Sequence, residues 1–266
     1  MSRNKILAVI PTAMILLTPT QGWADRFTFR GRDIVLEAPQ GYCALDSHRP
    51  RELRMIQQRQ TMLSVYGEIA MVYADCRELE QFRRGDPVRL DDIGSISIGK
   101  ENAKIVPVYG ISRRQFVDDT LKSIAEADLR NFQEVADTGA RKASAANSID
   151  VTPIHVLGHD DTAVYVGGSL RVTKTDGVTD LRDSVDAATL INALEVEIGI
   201  SRPSVEGGLE LMLATQHDNV AALIRANASN DSTPATPHWD LTAVWIVAVL
   251  SAPVGLLIFL ASRRAR

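Results

Sequence analysis

Apolar and polar positions alternate from the start of the folded part of the chain. RFTFRGRDIVLEAP, residues 26–39, holds two such runs around Arg30-Gly31-Arg32-Asp33 and predicts a β-hairpin. Over residues 50–65 the spacing changes: Leu53, Met55, Ile56, Met62 and Leu63 fall near helical steps. EIAMVYADC, residues 68–76, is almost wholly apolar and predicts a strand buried on both faces; after an irregular stretch, Ile93 to Ile98 predicts a short one. A helix is expected from Ser112, which stands three residues before Gln115 as a capping box requires. Phe116, Val117, Leu121, Ile124, Leu129, Phe132 and Val135 then form one apolar stripe. Strands follow at Ile154–Leu157, at Ala163–Arg171 after the turn GHDD, and at Leu194–Ser201. In the last of these, Leu194, Val196, Ile198 and Ile200 alternate with Glu195, Glu197, Gly199 and Ser201, which predicts one buried and one wet face. A final amphipathic helix runs from about Gly207 to Ala226. The order of elements predicts an α+β domain, with helices flanking an antiparallel sheet.

The two ends are patterned differently. Residues 1–24 carry Arg3 and Lys5, an apolar run from Ile6 to Leu17, and the small residues Gly22 and Ala24. They have the form of a secretory signal peptide cleaved before Asp25; an uncleaved anchor is the alternative. Leu241 to Ala261 has no charge in 21 residues, enough for roughly 32 Å of helix and one bilayer crossing. Arg263, Arg264 and Arg266 follow it in a basic tail, residues 262–266, and orient that tail to the cytoplasm. Residues 227–240 are polar and contain prolines, as in a flexible stalk. The sequence thus divides into a signal peptide, a periplasmic domain over 25–226, a stalk, a transmembrane helix and a short tail. Excluding the five basic residues at the ends, 24 basic residues face 33 acidic ones, so the exported part is negative and disfavours nucleic acid and anionic lipid as partners, except through a local basic patch.

Candidate chemistry is sparse. GSISIGKE, residues 94–101, lacks the final hydroxyl of a phosphate loop, and its Ser-Ile alternation is that of a strand. His159, Asp160 and Asp161 share the turn GHDD, where the residues suit turn geometry as well as chemistry. No histidine spacing matches a zinc site, so no metal, cofactor or catalytic residue is assigned. A hydrolase assembled from dispersed residues such as His155, His159 and Asp161 is the alternative to a non-catalytic module.

The two cysteines, Cys43 and Cys76, most simply join in the oxidising compartment that the signal peptide implies. Two buried free thiols, or a nucleophilic Cys43, are the alternatives; Asp46, Asp75, Glu78 and Glu80 disfavour the last. PQGYCALD, residues 39–46, resembles an opening motif of uncharacterised exported proteins of Gram-negative bacteria. The element layout, ending in LEVEIGISRP and a helix, is similar to the Mog1/PsbP-like sandwich, and that resemblance implies a binding or assembly module. The expectation is therefore an inner-membrane protein with a periplasmic domain and an envelope protein as partner.

Overall fold

The computed structural model describes residues 24–29, 31–63, 67–101, 104–126, 148–151, 154–173 and 179–234. A hairpin of β1 (Ala24–Phe29) and β2 (Arg32–Glu37) stands apart from the main sheet in its pairing. Then follow β3 (Tyr42–Ala44), α1 (Pro50–Leu63), β4 (Gly67–Asp75), α2 (Cys76–Arg84), β5 (Ile93–Gly99) and α3 (Arg113–Glu126). The second half holds β6 (Ser148–Val151), β7 (His155–His159), β8 (Ala163–Thr173), β9 (Thr179–Ile191), β10 (Leu194–Pro203) and α4 (Gly208–Asn227). Every pairing is antiparallel, in the order β3-β4-β5-β10-β9-β8, with β6 and β7 sharing the outer edge of β8. The α+β architecture is as the apolar pattern predicts.

On one face of the sheet lie α4 and the hairpin. Ile34 and Leu36 of β2 and Val220 and Leu223 of α4 share a core with Met71, Tyr73, Ile96, Val196 and Ile198. The Tyr73 ring lies flat on the backbone of Gly94, where an added Cβ would come within 2.4 Å of it, and its hydroxyl donates to the Gly199 carbonyl at 2.6 Å. A side chain at position 94 is therefore excluded by packing. The other face is covered at its flanks: α1 and α2 pack on Val72, Ala74 and Ile93, while α3 packs on Val164, Val166, Ala188 and Leu190. Buried Glu52 of α1 receives Arg83 of α2 at 2.8 Å and joins the two helices.

Several elements exceed or shift the expected ones. α2 replaces the irregular stretch after β4. Asp75 caps it by accepting from the backbone N–H groups of Arg77 and Glu78, so Cys76 opens a helix rather than closing a strand. β9, the long inner strand between β10 and β8, has no counterpart in the predicted elements. The capping box at α3 is half made: the Gln115 N–H donates to Ser112 Oγ at 3.2 Å, while Gln115 Oε1 is unpartnered.

The C-terminal segment is tied to the domain beyond the expected boundary at 226. Asn227 is fully buried, and its amide pairs with both backbone groups of Val35, at 2.7 and 2.9 Å. Asp231 accepts from the Asn192 N–H at 2.8 Å and pairs with Arg113, and Thr233 accepts from the Ala193 N–H at 3.0 Å. Asn227 is thus docked on β2 and residues 231–233 on the β9–β10 turn, and any free stalk starts after them. The expected leader up to residue 23, the span 241–261, and Leu129, Phe132 and Val135 lie outside the described residues. Among the described residues no helix is long and apolar enough to cross a membrane.

Candidate functional site

The strand register builds one unusual surface. On the face that carries α1 and α3, rows run across the sheet as Ser97, Glu197, Ala188 and as Ser95, Gly199, Asp186. Ser201 beside Ser184 continues the pattern, and Glu195 lies opposite Leu190. α1 covers β4, and α3 covers β8 and β9. Between them the centre of the sheet is floored by small residues that carry three carboxyl groups. The alternation in LEVEIGIS predicts that these positions face water. Most of them do not: Glu197 is 4% exposed, Ser201 1% and Asp186 3%, while Glu195 is half-buried.

Arg59 enters from α1, its Nε and one terminal nitrogen each 3.4 Å from Ser95 Oγ. Ser97 Oγ donates to Glu197 Oε2 at 3.1 Å, and Ser184 Oγ donates to Asp186 Oδ2 at 3.3 Å. Glu195 Oε1 and Glu197 Oε1 have no hydrogen-bond partner among the described residues. Burial raises Glu195 and Asp186 to about 7, although Arg59 pulls Asp186 back down. Glu197 goes well above the ordinary range, through burial and then through the neighbouring Glu195 and Asp186. Chemically, such a cluster holds protons near neutral pH. Among the described residues no group of three or more His, Cys, Asp or Glu could hold a metal ion.

The histidines fall elsewhere. His155 and His159 lie exposed on β7, and Asp161 is exposed with Arg114 at 3.8 Å; among the described residues these three form no metal-holding group. The carboxylate that meets an imidazole is Asp160, whose Oδ2 is 3.1 Å from His217 Nδ1 on α4. Asp160 also accepts from Thr162 N–H and Oγ1, Ala163 N–H and Tyr165 Oη. Burial works against its charge, but these bonds outweigh it and hold the carboxyl below its ordinary range. With so many donors Asp160 is an anchor for the GHDD turn, and the His217 ring stacks on Tyr165 with centroids 4.0 Å apart. The sequence placed His217 on a helix, but only the packing of α4 on β8 brings it to Asp160.

PQGYCALD is structural in the same sense. Gly41, at φ 86°, lies in the left-handed region within the turn that Tyr42 N–H closes on Pro39 O. Cys43 and Cys76 form a disulfide with Cα atoms 4.9 Å apart. Tyr42 Oη donates to Asp92 at 2.6 Å, and Arg202 Nε meets the same carboxylate at 3.0 Å, which joins β3 to the segment before β5 and to the end of β10. Burial and then the Asp92 hydrogen bond raise the Tyr42 hydroxyl far above its ordinary range. Beside it Arg182, 1% exposed, reaches Asp91, which also pairs with Arg89 at 2.8 Å. The phosphate-loop look-alike is the buried strand β5, with Lys100 3.3 Å from Glu68.

No family model and no curated protein sequence matches the chain. Among solved structures it aligns with cyanobacterial PsbP (CyanoP) from Synechocystis sp. PCC 6803, over 79% of this chain and 92% of that one, at 14% identity and a TM-score of 0.34. It aligns with the Saccharomyces cerevisiae Ran-binding protein Mog1p over 81% and 97%, at 10% identity and a TM-score of 0.28. At these values no partner or activity transfers, and the α+β description rests on the strand pairing itself.

Proposed function

We propose that the chain is a non-catalytic binding or assembly module of the bacterial cell envelope, a periplasmic domain held at the inner membrane by one C-terminal helix. The observation that supports this reading is the docking of residues 231–233 on the β9–β10 turn. An anchor beginning at Leu241 would follow this turn by a short tether, with the opposite end of the sheet turned away from it. That far end exposes Leu181, Val205 and Leu211, 37%, 62% and 66% accessible, beside the Arg89, Asp91 and Asp180 ion pairs. Exposed apolar residues with a charged rim suit a protein partner, and the negative exported domain suits one that is not nucleic acid.

A photo-crosslinking residue placed at Leu211 or Val205 in intact cells tests it. The expected result is a discrete adduct with an envelope protein; a chain that stays uncrosslinked at both positions argues against the module. The tethered-hydrolase alternative draws less support from the side chains: His155 and His159 are exposed on β7, Asp161 faces Arg114, and Asp160, which meets His217, holds a turn.

A further inference from the structure

The end of the domain from which the C-terminal segment departs has its own surface chemistry. Ser232 and Thr233 are bonded to Asn192 and Ala193 at the β9–β10 turn, and the Val108 N–H donates to the Ala193 carbonyl at 2.8 Å. The segment before α3 is therefore pinned to the turn that receives the chain terminus. It exposes Val106 at 46% and Tyr109 at 58%, two of the most exposed large apolar side chains among the described residues. Arg32 stacks on the Tyr109 ring at 4.7 Å while one of its nitrogens bonds Asn192 O and Ser232 Oγ, both at 2.9 Å. Lys104, exposed and paired through its backbone with Glu101, adds a cation two residues before Val106.

We propose that this end of the domain rests on the outer leaflet of an anionic bilayer, with Val106 and Tyr109 at headgroup depth and Lys104 and Arg32 supplying positive charge there. The inference rests on the anchored reading of residues 241–261. A tyrosine ring with one apolar and one wet end suits headgroup depth, and basic residues near the surface are attracted to anionic lipid. Tether length selects the end: the seven residues 234–240 reach at most roughly 25 Å when extended. Leu181 lies ten residues along β9 from Ile191, about 33 Å away at the rise of a strand. The tip at Asn192 is therefore the end that lipid meets first.

The full chain, reconstituted in nanodiscs of phosphatidylethanolamine and phosphatidylglycerol, tests this with an environment-sensitive fluorophore on Tyr109→Cys or on Leu211→Cys, the native disulfide kept oxidised. Quenching by brominated lipid is expected to be at least about threefold stronger at position 109 than at 211. Equal quenching at both positions, in protein that stays with the discs after alkaline carbonate, overturns the orientation and leaves the anchor standing. Loss of the protein from the discs in carbonate overturns the anchor and the orientation with it. A label at 109 that is shielded from aqueous iodide yet untouched by brominated lipid assigns the patch to a protein neighbour and likewise overturns the proposal.

Discussion

On the α4 face of the sheet the buried side-chain amides of the helix have hydrogen-bond partners; on the α1–α3 face carboxyl groups are buried with an oxygen left over among the described residues. Gln216 of α4, fully buried, donates to the carbonyls of Val185 and Ile198 at 2.9 and 2.8 Å, and Asn219 donates to Gln216 Oε1 at 2.8 Å. Opposite them, Glu195 and Glu197 each keep an oxygen without a partner among the described residues, and Arg59 reaches Ser95 Oγ at the limit of hydrogen-bond distance while its charge acts on Asp186. The same two strands, β9 and β10, supply both faces. What differs is the donor set: on one side helix amides are aimed at the sheet, on the other carboxyls are left to retain their protons. A fold tolerates the second arrangement because a protonated carboxyl costs far less to bury than an ionised one.

The largest expected effect comes from the apolar face. Ile198→Ala should lower unfolding free energy by about 4 kcal/mol through lost burial and a residual cavity, and urea melts at pH 5 and pH 8 should give the same loss at both. Breaking the disulfide comes next. Cys43→Ala with Cys76→Ala releases a loop spanning 33 positions and should cost about 3.7 kcal/mol by chain entropy, seen as a shift in the urea midpoint that reductant reproduces in the native chain.

The third prediction separates the faces by pH. Glu195 takes up its proton in the folded state at about 7, against an ordinary value of 4.5. Below 4.5 the carboxyl is protonated whether folded or not and has no effect; stability is lost as pH rises toward and through 7. Glu195→Gln should therefore gain on the order of 3 kcal/mol at pH 8 and almost nothing at pH 4. Thermal melts across that range check this, and a variant whose gain is independent of pH would erase the contrast between the faces. The smallest effect belongs to the turn joining β9 and β10, where Ala193 sits at φ 58°. Ala193→Gly should stabilise by about 0.5 kcal/mol, measured by chemical unfolding, because glycine adopts the left-handed region without a Cβ penalty.

The legibility of the chain follows the same division. β2, β4, β5, β8 and β10 were readable because their apolar residues alternate or run together, and α1, α3 and α4 because theirs step at helical spacing. β9 escaped the pattern. Its sequence TDLRDSVDAATLI places Arg182, Asp183, Ser184 and Asp186 inside the fold, so it reads as polar and irregular although most of it is buried. α2 was hidden for the opposite reason: CRELEQFRR is mostly charged and buries only Leu79 and Phe82. The disulfide was legible from a count of two and from the compartment that the expected leader implies. The carboxyl cluster was not, since alternation names which residues share a face but not whether a helix covers it.

By itself the sequence determined the α+β class and the position of most elements and favoured the pairing of Cys43 with Cys76, because each rests on local periodicity or on a count of two. Tertiary structure alone decided that Glu197 is interior with Glu195 half-buried beside it, that Asp160 rather than His159 or Asp161 meets an imidazole, and that residues 227–233 belong to the folded unit. In each case the deciding contact joins segments far apart in the chain: Ser97 of β5 beside Glu197, α4 against the turn before β8, the β9–β10 turn under the C-terminal segment. Such contacts leave no periodic mark, since their free energy comes from burial between segments and not from the pattern within one.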